Sequence, residues 1–166
     1  MHQVIDRRDG RIGHQLAGDR EYVVGQGGNE AIERLAARVL DTRLPHAEWS
    51  HAAHFAMALW CIRHRADLVE PEGLREVILR LNDAHGTANT DSSGYHHIIT
   101  IASLTAARAV HDSHNGGEPL HTVLAALLSG PNGKSDCILE YWTRDRLFSF
   151  EAQRGWGAPD RSPLPL

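Results

Sequence analysis

Trp49-Ser50-His51-Ala52-Ala53-His54-Phe55-Ala56-Met57-Ala58-Leu59-Trp60 is the stretch on which the fold turns. No charged side chain interrupts it. Wound as a helix, it is apolar on nearly every side, and such a helix is buried among others. At ~100° per residue, His51, His54, Phe55, Ala58 and Ile62 share one face. Trp49, Ala53, Ala56 and Trp60 share the opposite one. The histidines are therefore expected to meet one neighbour and the tryptophans another.

Working outward, the pattern predicts an all-α chain: a compact helical bundle of about five main helices. The central helix is expected over residues 45–65, with Pro45 in its first turn. Before it, Asn29 caps a helix whose Ile32, Leu35, Ala36, Val39 and Leu40 recur at helical spacing, ending near Leu44 because Pro45 follows. After it, Leu74, Val77, Ile78 and Leu81 form the inner stripe of a third helix over 71–84, which Gly86 stops. The polar loop 87–93 leads to a fourth helix, capped by Ser92 or Ser93 and running to about His111. Its inner residues are small: Ala102, Ser103, Ala106 and Ala107. A fifth helix spans 119–128, and short helical pieces follow at 135–142 and 144–148, then a turn capped by Ser149.

Three segments emerge. Residues 1–28 read as an irregular or hairpin arm, with Asp9-Gly10 as a turn. Residues 29–154 form the helical domain. Residues 155–166 are a Gly- and Pro-rich tail expected to pack across the surface through Trp156.

The 166 residues suit one domain with a proper core. The formal charge of −4 has both signs interspersed and no basic stripe, which argues against nucleic-acid binding. No apolar run approaches the ~20 residues of a membrane span, and the first residues lack the apolar core of a secretory signal. Cytoplasmic residence is the expectation. Cys61 and Cys137 form no CxxC, and Cys61 reads as a buried free thiol.

Twelve histidines stand out. His51 and His54 lie one turn apart on a helix face, a workable pair of metal ligands. A buried neutral imidazole needs partners for both nitrogens, and a metal ion with an outer acceptor supplies them. His96 shares a face with Thr100 and Ser103 and is the third ligand of choice. His97 points about 100° away from it. His111 and His114 are excluded, since a helical rise of ~1.5 Å per residue puts His111 about 22 Å from His96. Asp91 and Asp83 are acidic candidates near the same pocket.

Together these segments resemble a group of uncharacterised bacterial proteins. That group carries an aromatic-x-His-x-x-His helix, a later Tyr-His-Glu-Thr-x-Thr segment, and a C-terminal Tyr-Tyr/Trp-Ser-Arg, Ser-x-x-Ala-Arg and Pro-Asp series. The matching residues are Trp49, His51 and His54; Gly94, Tyr95, His96 and Thr100; Tyr141, Trp142 and Arg144; Ser149, Ala152 and Arg154; and Pro159 and Asp160. The resemblance implies that His51, His54 and His96 belong together. It carries no activity. The chain departs from the pattern at His97, where the group has Glu, and at Ile98, where it has Thr.

The expected function is a mononuclear metal site of His51, His54 and His96 that acts on a small molecule, through metal-activated water or redox chemistry at an open position. Zinc, iron, copper and nickel all suit imidazole. Tyr95, His97 and Thr100 are the catalytic or proton-transfer candidates. Two other readings compete: a non-catalytic small-molecule binding or sensing protein, with its pocket on the Ser103 and Ala107 side of the fourth helix, and an interaction module with structural histidines. The apolar central helix also permits a homodimer through Trp49 and Trp60.

Overall fold

The computed structural model describes residues 28–90 and 93–164. Among these the chain is all-α: eight helices and no β-strand. We number them α1 (Gly28–Leu40), α2 (His51–His64), α3 (Ala66–Val69), α4 (Pro71–Ala84), α5 (His97–Asp112), α6 (Leu120–Ser129), α7 (Arg144–Leu147) and α8 (Phe150–Arg154). No helix among the described residues is long and apolar enough to cross a membrane. The hairpin expected around Asp9-Gly10 lies outside the described residues.

Helix α2 is the centre. It packs against α1, α5 and α6, while α4 lies against α1 and α5. Its buried residues run almost without a break: Ala52, Ala53, His54, Phe55, Ala56, Met57, Ala58, Leu59 and Cys61. The repeated alanines let neighbouring helices approach from several sides, which is why no single apolar stripe is needed. Helix α1 presents the contrasting pattern, a stripe of Ile32, Leu35, Ala36 and Val39 at 3- and 4-residue spacing. Cys61 is a buried free thiol, and burial pushes its pKa up to about 12.

The boundaries around α2 differ from the sequence expectation. Helix α1 stops at Leu40 rather than Leu44, because Thr42 takes a left-handed φ of 57°. Pro45 does not begin α2. It opens a separate 3-10 turn (His46–Glu48), and α2 starts only after Ser50. Ser50 Oγ accepts from the Ala53 amide at 3.2 Å, so the serine caps the helix. Arg38 of α1 donates two hydrogen bonds to the Glu48 carboxylate, at 2.7 and 2.9 Å, and ties the turn down.

That shift moves Trp49 off the helix. It sits just before the cap and folds back over the first turn, its ring 3.8 Å from that of His54 between centroids. Trp49 and His54 thus occupy the two positions of a hydrophobic staple. They meet, where the helical-wheel reading put them on opposite faces. Trp49 is only 4% exposed and is buried within its own chain, which removes it from a dimer surface. Trp60 lies partly buried at the other end and donates to Glu33 of α1 at 2.7 Å.

A second apolar cluster forms where the C-terminal pieces meet the first half of α5. It comprises Ile98, Ile99, Ala102, Ile138, Trp142, Leu147 and Ala152. Thr143 and Ser149 cap α7 and α8 through their hydroxyls. The tail closes over this cluster. Trp142 Nε1 donates to the Gly157 carbonyl at 2.9 Å, and Trp156 meets Trp142 edge-on at 5.7 Å, so Trp156 does pack as expected.

Burial dictates the ranking of destabilising changes. Leu81 is fully buried, and Leu81→Ala should lower unfolding free energy by about 2–5 kcal/mol. Ser50→Ala should cost only about 1 kcal/mol. Urea denaturation of both variants checks the order.

Candidate functional site

The two segments that the sequence singled out are both helix starts. The second repeats the logic of the first. His96 is not inside α5 but is its cap, with extended backbone, and the helix begins at His97. Expecting Ser92 or Ser93 as the cap placed the helix start too early. Ser92 and Asp91 lie outside the described residues. Ser93 forms a bridge with Thr90 instead.

The reason α5 starts late is the loop before it. Gly94 has a φ of 85°, and a Cβ there would come within 2.5 Å of Asn89 Oδ1 and 2.9 Å of the Ala88 carbonyl. Only glycine fits so close a turn. Asn89 fixes the loop from within: its Oδ1 accepts from Asn82 at 2.9 Å and from the Tyr95 amide at 3.3 Å, while its Nδ2 donates to Asp83 at 2.9 Å. Asp83 therefore serves the loop and not a histidine. From the other side, the Gln153 amide lies 3.1–3.3 Å from the carbonyls of Thr90, Ser93 and Tyr95. Gln153 is buried. Its place inside the Ser149–Arg154 segment was the one sequence signal that could have drawn attention to it.

Both nitrogens of His96 are used. Nε2 donates to the Leu147 carbonyl at 2.8 Å, and Nδ1 accepts from the Ile99 amide at 3.5 Å. The ring is 4% exposed, and burial lowers its pKa to about 4. It is a neutral capping group that also ties α5 to the end of α7.

His51 and His54 point elsewhere. His51 is half-buried and its Nε2 donates to the Asn132 carbonyl at 2.7 Å, linking α2 to the 3-10 turn Pro131–Gly133. His54 is 9% exposed, and its Nδ1 donates to the Ser50 carbonyl one turn back. The three histidines thus reach three different neighbours. Among the described residues no three His, Cys, Asp or Glu side chains are placed to hold one metal ion. His51 and His54 do lie one turn apart on α2, but their rings reach different partners. The helical spacing failed for His96, because a cap residue does not project like a residue within the helix.

The three catalytic candidates meet at the Tyr95 phenol. Tyr95 Oη lies 3.2 Å from His97 Nδ1, so these two do come together. Burial pushes the Tyr95 phenol up to about 12 and lowers the pKa of His97, so the contact joins two neutral groups. Arg75 lies over the Tyr95 ring, 5.7 Å from its centroid. Thr100 stands beside them, its side chain in hydrogen-bonding reach of the Tyr95 phenol. Its hydroxyl donates to the His96 carbonyl at 2.9 Å, and it lines a cleft between α2, α4 and α5.

In that cleft a predicted site residue, His54, keeps a buried polar atom without a partner among the described residues. His54, Met57 and Ala58 line it from α2, Leu74, Val77 and Ile78 from α4, and Thr100, Ser103 and Leu104 from α5, together with Trp49. None of these side chains is charged at neutral pH with His54 neutral. The space is about 30 Å³, room for about two water molecules. His54 Nε2 and Trp49 Nε1 are both buried, and neither has a hydrogen-bond partner among the described residues. Orphaned buried polar atoms are uncommon in folded proteins, and each costs about 1–3 kcal/mol.

Comparison with known proteins adds no relative: no protein-family model, no curated protein and no solved structure matches this chain. The resemblance described above rests on the quoted residues alone.

The depressed His96 pKa sets a pH test. Above pH ~6.5 the ring is neutral whether the chain is folded or not, and its contribution to stability is complete. As pH falls below ~6.5 the unfolded chain takes up a proton that the folded chain resists until about pH 4, so stability is lost across that window. The loss should reach about 3 kcal/mol and then level off. His96→Asn keeps a capping side chain but has no such proton. The urea-midpoint gap between wild type and variant should narrow from pH 7 to pH 4. A gap that stays constant would contradict the assignment.

Proposed function

We propose that this is a small-molecule-binding helical protein whose site is the cleft between α2, α4 and α5. The observation that carries the reading is the pair of buried nitrogens, His54 Nε2 and Trp49 Nε1, without partners among the described residues at a mostly apolar cleft. Ligand sites are apolar concavities with a few placed polar groups, and this cleft has that chemistry on a small scale. Ser103 lies where the small residues of α5 suggested room for a ligand.

A metal centre formed by His51, His54 and His96 is the second reading, favoured by one observation. A neutral imidazole with a bare ring nitrogen, as at His54, is the common ligand for zinc, iron, copper or nickel. To join it, His51 would leave the Asn132 carbonyl and His96 would leave both Leu147 and Ile99. Each buried bond given up costs about 0.5–1.5 kcal/mol, more where a group is left unpaired. Coordination would have to outweigh that. An enzyme built this way would use Tyr95, His97 and Thr100 around the ion.

A fragment panel followed by methyl NMR tests the first reading. Bound fragments should shift the methyl resonances of Met57, Ala58, Val77, Ile78 and Leu104 together, and Ser103→Leu, which fills the cleft, should abolish the shifts. A panel in which no compound moves these methyls would defeat it. Elemental analysis of protein purified without a histidine tag addresses the second. One equivalent of metal, lost in both His51→Ala and His96→Ala, would establish the metal centre instead.

A further inference from the structure

We infer that the cleft selects a small neutral molecule with a hydroxyl or primary amide head on a short apolar body. This rests on reading the cleft as a small-molecule site and goes on to name the class of ligand.

The head group follows from the two orphaned nitrogens. His54 Nδ1 faces a backbone carbonyl, which can only accept, so the ring proton sits on Nδ1. Nε2 is then a bare acceptor that needs a donor. Trp49 Nε1–H is a donor only and needs an acceptor. Their rings are stacked 3.8 Å apart, tilted by 35°, and both line the cleft. A matching head must offer both roles within a few atoms. A hydroxyl does so with one atom, and a primary amide with two. An ether, a thioether or a halide offers no donor and leaves His54 unsatisfied.

Net charge is disfavoured by the rest of the wall. Among the described residues no Asp, Glu, Lys or Arg lines the cleft. A carboxylate or ammonium group would be buried without a counter-charge, at a cost far above that of a neutral head. The body of the ligand meets Met57 and Leu74, Val77, Ile78 and Leu104, so it is aliphatic. The limited space keeps it short.

Neither nitrogen is reached by solvent as the helices stand. The binding step therefore needs a small movement of the cleft wall that lets the polar head reach both nitrogens. A ligand held by the apolar side chains alone would shift the methyls without touching the indole.

Five four-carbon probes separate the alternatives: 1-butanol, butanamide, 1-chlorobutane, butyrate and butylammonium. The readouts are the indole Nε1–H resonance of Trp49, assigned with Trp49→Phe, and the methyls of Leu74, Val77, Ile78 and Leu104. We expect 1-butanol and butanamide to shift both sets and to bind about tenfold more tightly than 1-chlorobutane. The two ions should bind at least as weakly as 1-chlorobutane. In His54→Phe the advantage of 1-butanol over 1-chlorobutane should fall below about threefold. Equal binding of 1-butanol and 1-chlorobutane would overturn the head-group inference while leaving the cleft a binding site. Methyl shifts without an indole shift would do the same. Tighter binding of either ion would overturn the neutral class. No methyl shift with any of the five, and none in the wider fragment panel, would overturn the binding reading itself. The wild-type comparison stands even if a variant fails to fold.

Discussion

The structure depends on how α2 is started. A helix buried on nearly every side cannot leave its first amides bare, because no water reaches them. Ser50 accepts from one of them, and Trp49 folds back over the turn against His54. The contact fixes the angle at which the chain enters α2. It also joins α2 to α1, since the turn just before Trp49 is held by the Arg38–Glu48 pair. Once α2 has its direction, α1, α5 and α6 have only its alanine-rich faces to pack on.

The start of α5 uses related chemistry with a histidine where α2 has a serine. A neutral imidazole can accept from the first turn with one nitrogen and donate elsewhere with the other. Ser or Asp would cap as well but could not reach the Leu147 carbonyl. His96 therefore does two jobs: it starts α5 and docks the C-terminal pieces onto it. The arrangement costs proton affinity, because a ring so deeply buried resists the charge it would take in water. Gly94, Asn89 and Gln153 exist in this scheme to bring the chain into the cap at the required angle.

Several buried side-chain atoms lack a partner among the described residues, and two of them, His54 Nε2 and Trp49 Nε1, belong to rings stacked on one another. The fold satisfies His96 twice over, and gives a backbone partner to His51 and to one nitrogen of His54. It then leaves the other His54 nitrogen and the Trp49 indole bare at one cleft. Local rules are broken in folded proteins mainly where function requires it. The same staple that organises α2 thus places a donor and an acceptor side by side in apolar surroundings.

By itself the sequence determined the all-α class, four of the five main helices to within a few residues, the burial of α2, the stop at Gly86 and the packing of Trp156. These follow from period, turn chemistry and apolar content, which are local properties. It also marked Trp49, His54, Tyr95, His96 and Thr100 as residues worth following. Only the tertiary structure decided what they do. Whether a residue caps a helix or lies within it reverses where its side chain points, and the caps at Ser50 and His96 were set by Thr42 and by the Gly94 loop. Carbonyl partners for His51 and His96 come from Asn132 and Leu147, remote in sequence, so no spacing rule could show that these nitrogens were already taken. The cleft is likewise a product of three helices, and a wheel drawn for one helix places Trp49 and His54 on opposite faces when the folded chain stacks them.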